Sequence, residues 1–347
     1  MKDNKLIFKA LDRLSCQIRD RHSLLEANIH RTSFHNPWFE KAHYWQSLDT
    51  LVEHMLNPAD IEKWCSTYQF PVGEEHMKIV GLIFAGNIPL VGFHDFLTVY
   101  LSGHAAEIKL SGKDPYVFPA ILKLLEETDL EITKRIKVVG KLQNHEAVIA
   151  TGSNNTNRYF RKYFEDYPSI IRNNRTSVSI LDGSESPANL KDLSHDIFDY
   201  FGLGCRNVTK LFVPEGYDFE PFLEVMKPFD RYMINTKYRN NYDYNLSIEL
   251  LNQSNIISTD FVLLKRDHEN LTSPVGMIFY DEYDDLETLL EDLADKRDQI
   301  QTVVGKYKVK GVSQTDFGNS QQPGLFDYPD GEDIGHFLFD ISCKITT

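Results

Sequence analysis

Residues 78–90 read Lys-Ile-Val-Gly-Leu-Ile-Phe-Ala-Gly-Asn-Ile-Pro-Leu, and their order decides the fold class. The apolar run 78–84 ends at Ala85-Gly86-Asn87, the pattern of a short buried strand entering a turn. Pro89 has the fixed φ that suits a first helical turn, so a helix is expected over 90–102, closed by Gly103. Working outward, strands are expected over 105–110, 135–139, 147–150 and 178–181, and helices from Asp114-Pro115 to 127 and over 154–164. Strand alternating with helix implies βαβ units and a mostly parallel sheet, an α/β fold.

Upstream, residues 1–70 read as helical: Trp45, Leu48, Leu51, Val52 and Met55 recur at spacings of three and four until Asn57-Pro58 stops the run. Downstream, a helix over 187–201 leads into Gly202-Leu203-Gly204-Cys205, and a strand at 210–213 opens a more polar region. That region is expected to hold helices at 219–226, 238–252 and 286–299 and strands at 260–265, 275–280 and 301–304. The tail, 311–347, is rich in turn residues and ends in an apolar stretch, 337–341.

Composition excludes several classes. The 347 residues carry 37 basic and 51 acidic side chains, a net charge of −14, which argues against a general nucleic-acid binder and against an anionic membrane surface. A local basic pocket for a phosphorylated cofactor remains compatible. The cysteines at 16, 65, 205 and 343 form no CxxC pair, so no zinc or thioredoxin-type site is expected. The charged N-terminus lacks a signal-peptide core, and the most apolar stretch, 79–93, is too short and too interrupted to span a bilayer; a cytoplasmic protein is expected. His94, Asp95 and His104 fall on different helical faces and read as structural rather than as metal ligands. Gly202-x-Gly204 lacks a third glycine and follows a helix, so it does not read as a dinucleotide fingerprint. Those glycines instead allow a close-approaching, strained loop. The residue in it is Cys205, a candidate nucleophile whose thiolate Arg206 or Lys210 would favour; Cys16, Cys65 and Cys343 lack such a setting.

Five segments in order carry a resemblance. Asn87-Ile88-Pro89-Leu90, Lys109-Leu110-Ser111, Thr151-Gly152-Ser153, Gly202-Leu203-Gly204-Cys205 with Lys210-Leu211-Phe212-Val213, and Ser273-Pro274-Val275 resemble the aldehyde dehydrogenase superfamily over roughly residues 75–320. Most specifically, the chain resembles the fatty acyl-CoA reductase branch known from bacterial bioluminescence operons. The resemblance implies an aldehyde dehydrogenase-like fold: a Rossmann-like nucleotide-binding domain with a helical N-terminal segment (1–195), an α/β catalytic domain (196–310), and a tail (311–347) that packs on the first domain or a partner subunit. It implies reduction of an acyl-CoA thioester to the aldehyde through an acyl-cysteine on Cys205, with Asn87 and the Cys205 backbone N–H as oxyanion donors. It further implies a cofactor held by Lys109, Ser111 and Lys113 at a strand end, by the Thr151, Gly152, Ser153 turn, and by Glu269, one position off the usual ribose anchor. Ser111 and Lys113 favour NADP(H) over NAD(H).

Two departures stand out. Asn157 replaces a second glycine of the Thr-Gly-Ser helix, and Arg172-Asn173-Asn174-Arg175-Thr176 stands where hydrolytic members carry a water-activating carboxylate. The second suits acyl transfer to or from a thiol. Another CoA-acylating aldehyde dehydrogenase, or an acyl-carrying scaffold without hydride transfer, remains the alternative. Expected partners are the acyl-CoA substrate, an acyl-donating or aldehyde-consuming enzyme, and a second copy of the chain, with no nucleic acid, metal or membrane span.

Overall fold

A computed structural model of the chain describes residues 2–71, 73–152 and 154–343. The helices of the N-terminal segment are α1 (Lys2–Arg19), α2 (Ser23–His35), α3 (Lys41–Thr50), which runs into a π-helical turn at Leu51–Met55, and α4 (Pro58–Tyr68). The alternating region follows as β1 (Ile79–Ile83), α5 (Phe93–Ser102), β2 (Ala105–Lys109), α6 (Val117–Glu126), α7 (Ile132–Arg135), β3 (Ile136–Val138), β4 (Ala147–Thr151), α8 (Asn154–Tyr163) and β5 (Ser169–Arg172). Next come β6 (Thr176–Ile180), α9 (Pro187–Phe198), β7 (Val208–Pro214), α10 (Glu220–Met226), α11 (Thr236–Leu251), β8 (Ile256–Ser258), β9 (Leu263–Arg266) and β10 (Met277–Tyr283). The chain finishes with α12 (Leu286–Asp295), β11 (Ile300–Val304), β12 (Ser313–Thr315) and α13 (Ile334–Cys343).

The chain divides into two units, Met1–Asn174 with Pro323–Thr347, and Arg175–Gln322. The boundary expected at 195 therefore falls at 174, and β6 and α9 lie in the second unit. The boundary expected at 310 falls at 322. Unit 1 holds a five-stranded, all-parallel sheet in the order β3-β2-β1-β4-β5. Its strands are nearly continuous apolar runs, as parallel strands covered on both faces must be: β4 is buried along Ala147–Ala150. Strand β5 escaped the sequence reading because its short run ends in a charged residue, Arg172, that is nonetheless buried.

Helix α5 begins three residues later than Pro89 suggests. Leu90 sits in the left-handed region at φ 56°, its N–H donating to the Asp114 carboxylate at 3.2 Å. A tertiary contact, invisible in local sequence, delays the helix. The helices α1 to α4 pack on α6 and on the end of the chain through one core that includes Leu14, Ile29, Trp64, Phe118, Leu325, Ile334 and Leu338. Each fully buried aliphatic side chain of that returning segment contributes about 1.5–3 kcal/mol. Tyr68 fastens it further, its hydroxyl donating to the Asp333 carboxylate at 2.8 Å. Unit 2 holds a seven-stranded sheet in the order β12-β11-β6-β7-β10-β9-β8, parallel except for the edge pair β8 and β9.

His94 and His104 are structural ties of this kind. His94 Nε2 lies 3.0 Å from the Leu325 carbonyl. His104 Nδ1 accepts the Lys78 backbone N–H at 3.0 Å, which fixes its tautomer, so Nε2–H donates to the Leu338 carbonyl at 3.1 Å. Burial holds His104 below its ordinary value of 6.5, although Glu146 pulls the other way. A base depressed in the folded state contributes stability that is present above its unfolded value of 6.5 and is lost as pH falls through the lower folded value. Hydrogen exchange of α13 amides, corrected for intrinsic rates, should therefore show protection falling as pH drops below 6.5, and His104→Asn should remove that pH dependence.

Candidate active site

The register of the unit 1 sheet sets the first half of the site. Ile83 lies opposite both Lys109 and Ala150, and Thr151 lies opposite Arg172, so four strands end in one transverse row. The strand order reverses at β1, with β2 and β3 on one side and β4 and β5 on the other. In open α/β sheets a ligand crevice lies beyond the carboxyl ends of the strands at such a reversal. Asn87 follows β1, Lys109 ends β2, Ser111 and Lys113 form the next turn, Thr151 ends β4, and Gly152 follows it. The structure thus brings these residues to one sheet edge. Ser153 lies outside the described residues, and Cys205 and Glu269 belong to unit 2.

The turn after β2 is tightly built. A Cβ at Gly86 would fall 2.2 Å from Ser111 Oγ, so the β1 loop lies directly on this turn. Ser111 Oγ accepts the Lys113 backbone N–H at 3.2 Å. Lys109 and Lys113 are exposed, and the space where a Gly112 side chain would start is open. The acid of this turn, Asp114, points inward: its carboxylate is buried and receives the Tyr44 hydroxyl and the Leu90 N–H. The turn thus presents two cations outward and its carboxylate inward. A narrow cleft lined by Ala85, Leu90, Val91, Leu110 and Ser111 opens beside them.

The β4 turn is filled differently. A Cβ at Gly152 would lie 3.0 Å from both Asn157 Oδ1 and Phe160 Cε2. Asn157 is buried, its amide donates to the Arg172 carbonyl, and its Oδ1 has no partner among the described residues. This orphaned acceptor beside the turn is a polar group that a donor of a bound ligand would satisfy.

Arg172, at the end of β5, is the feature sequence reasoning missed. Its guanidinium is 5% exposed and makes a bidentate pair with Asp95 of α5 at 2.7 and 2.6 Å, and Nη1 reaches Thr151 Oγ1 at 3.3 Å. Burial works against the charge, and Asp95 more than restores it, so the guanidinium is held above its ordinary value. Asp95 was legible only as a structural residue; nothing local in the sequence pairs it with a residue 77 positions away.

In unit 2, Cys205 sits in the loop between α9 and β7 and is half-buried. Three consecutive residues before it, Tyr200, Phe201 and Gly202, are left-handed, at φ 56°, 59° and 72°. Glycine adopts this freely; an aromatic residue there costs about 1–3 kcal/mol and persists only where its surroundings impose it. Here the Phe201 ring packs on Tyr232 and Tyr238 at centroid distances of 4.4 and 5.9 Å. Tyr232, before α11, and Tyr238, within it, are both buried and support this loop. Asn207, 0% exposed, pins the loop from the other side. Its Oδ1 accepts the Gly204 N–H at 2.8 Å, and its amide donates to the carbonyls of Asp196, Ile197 and Asp199. Ser177 Oγ donates to the Cys205 carbonyl at 3.1 Å.

Lys210, expected as a support for the thiolate, is buried on β7 with its ammonium donating to the Asp267 carbonyl at 2.6 Å. Glu269 is exposed in a turn whose backbone N–H donates to Asp267 Oδ1 at 2.9 Å. Burial pushes the Cys65 thiol up to about 11, and Cys16 and Cys343 are exposed rather than set in apolar surroundings. Among the described residues, no group of three or more His, Cys, Asp or Glu could hold a metal ion, and no helix is long and apolar enough to cross a membrane.

The Arg172 pair makes a direct prediction. Asp95→Ala leaves a buried, unpaired guanidinium and should lower the unfolding free energy by about 3–5 kcal/mol. The double variant Asp95→Ala, Arg172→Met should lose clearly less than the sum of the single losses, as urea unfolding of the four proteins will show.

The chain is 25% identical over 194 residues to the long-chain acyl-protein thioester reductase of Aliivibrio fischeri, a match covering 51% of this chain but only 40% of that protein. The NAD+ complex of an aldehyde dehydrogenase from Bacillus cereus superposes with a TM-score of 0.70 at 13% identity, covering 98% of this chain and 82% of that one. An aldehyde dehydrogenase from Mycobacterium tuberculosis, complexed with NAD+, gives 0.66 at 13% identity over 96% and 83%. The fold is therefore the aldehyde dehydrogenase-like α/β fold. The profile of the acyl-CoA reductase (LuxC) family matches residues 35–227, more than half of the chain, so the chain belongs to that family.

Proposed function

We propose that the chain reduces an acyl thioester to the aldehyde with NADPH, through an acyl group carried on Cys205. The observation that carries this reading is the Cys205 loop: two aromatic residues in left-handed conformation, held by buried packing and by Asn207, place a half-buried thiol after Gly204. Strain of this kind is maintained where the loop has chemical work.

In the proposed sequence, the Cys205 thiolate attacks the thioester carbonyl, the acyl–sulfur bond to CoA breaks, and CoA leaves as its thiolate. The bound reduced nicotinamide supplies two electrons as a hydride. The resulting thiohemiacetal on Cys205 collapses, releasing the aldehyde and restoring the thiolate. Overall, acyl-CoA, NADPH and one proton give aldehyde, CoA and NADP+. Asn87 is the proposed oxyanion donor, on the resemblance of its loop. Lys109, Ser111, Lys113, Thr151, Gly152 and Ser153 are proposed to hold the cofactor; Glu269 keeps its proposed ribose role on the resemblance alone.

The absence of hydrolysis has a physical basis in this reading. Where hydrolytic relatives carry a carboxylate, Arg172 is a permanently charged cation already paired with Asp95, and it cannot take a proton from water. A second reading, acyl carriage on Cys205 without hydride transfer, is favoured by Asn157, whose side chain fills the space beside Gly152.

Cys205→Ser should fold, bind NADPH and lose both acylation and reduction, because the segment Arg172 to Thr176 holds no base to activate a hydroxyl. Intact-protein mass spectrometry with acyl-CoA, with and without NADPH, reads this. An acyl adduct that NADPH never discharges would favour the scaffold instead. For the coenzyme, NADPH should bind more tightly than NADH. Lys113→Ala should weaken NADPH binding about tenfold and leave NADH unchanged, as fluorescence titration will measure.

A further inference from the structure

The turn after β2 is approached from a second side. Helix α2 ends against it: His35 Nε2–H donates to the Gly112 carbonyl at 3.0 Å, and Asn36 donates to the Lys113 carbonyl at 3.3 Å. One turn earlier, the Arg31 guanidinium lies 3.9 Å from the centroid of the Tyr116 ring, which stands at the entry to α6. His35 meets the same ring edge-on at 5.6 Å. Arg31 and His35 are four residues apart on one helical face, and both are exposed.

The charge arrangement is unusual for this chain. With 51 acids against 37 bases, most cations should find a carboxylate, and on the same helical segment Arg21 pairs with Asp49 and Lys41 with Glu26. Arg31, His35, Lys109 and Lys113 make no ion pair among the described residues. Asp114, within the turn they surround, has its carboxylate turned into the core. The space over Gly112 is open. Arg stacked on an aromatic face keeps its N–H edge available, the arrangement used to recognise phosphate.

We infer that Arg31 of α2, with His35 beside it holding the Gly112 carbonyl, forms together with Lys109 and Lys113 a receptor for a phosphomonoester on an adenosine ribose. This rests on unit 1 being the nucleotide-binding unit, and it makes the N-terminal helical segment a determinant of nucleotide specificity rather than only a packing layer. Two ligands carry that chemistry, NADPH on its 2′-oxygen and CoA on its 3′-oxygen.

The test measures binding to the full chain by calorimetry with two ligand pairs, NADPH against NADH and CoA against dephospho-CoA. The parent should prefer the phosphorylated member of at least one pair. Arg31→Gln and His35→Gln should each shrink that preference about fivefold without moving the affinity of the unphosphorylated member. Arg31→Lys should recover part of the loss, and Lys191→Gln, an exposed cation of unit 2, should change nothing. The pair that responds identifies the ligand. Melting curves confirm that the variants are folded, and Arg31→Lys supplies the comparison if Arg31→Gln is not. A preference that survives Arg31→Gln but falls in Lys113→Ala overturns the inference while leaving the coenzyme reading intact. No preference in either pair overturns both. An Arg31-dependent response to CoA alone, with NADPH and NADH indistinguishable, retains the receptor and removes the NADPH reading.

Discussion

The buried ion pair between Arg172 and Asp95 is the constraint on which the carboxyl-end edge of the unit 1 sheet depends. Two charges removed from water cannot be left half-satisfied, so α5 and the end of β5 are locked in one relative position. Thr151 is drawn into the same group through its hydroxyl, and Asn157 is joined to it through the Arg172 carbonyl. The pair therefore holds the ends of β4 and β5 and the start of α8 as one rigid assembly.

Unit 2 reaches rigidity by other means. Its critical loop has no ion pair of that kind. The loop is instead a compromise between backbone strain at Tyr200 and Phe201 and the burial of their rings. Asn207 supplies polar satisfaction, with every arm of its carboxamide used inside the protein. Close by, Asp196 accepts the backbone N–H groups of Gly318 and Ser320 at 2.6 and 2.9 Å, fastening the last stretch of the unit to α9. Burial pushes the Asp196 carboxyl up to about 6, so these bonds are made by a group with little solvation of its own. A loop so held keeps Cys205 in one fixed backbone setting.

The N-terminal helices have more than one task. They bury their apolar faces in the core shared with the returning segment. They also grip the β2 turn through His35, Asn36 and Tyr44. The Arg31 guanidinium of α2 is thereby placed beside a turn far along the chain.

Much of this was legible in the linear chain, for a physical reason. Buried parallel strands must be short apolar runs, and turns need Gly, Pro or Asn, so Lys78 to Leu90 and the alternation after it are local statements. In the Cys205 loop, Gly202 marked a left-handed backbone position, while the strain at Tyr200 and Phe201 carried no local signal. The aldehyde dehydrogenase-like fold followed from motifs in order. What stayed hidden was whatever depends on two distant residues meeting. Leu90 leaves the helix because Asp114 takes its N–H, β5 ends in a buried Arg172 because Asp95 awaits it, Lys210 turns to the Asp267 carbonyl, and the first unit closes at Asn174 because β6 finds its neighbours in the other sheet. Sequence periodicity records the preferences of a segment; the cost of an unpaired buried charge or an unmade hydrogen bond is decided only when the chain folds on itself.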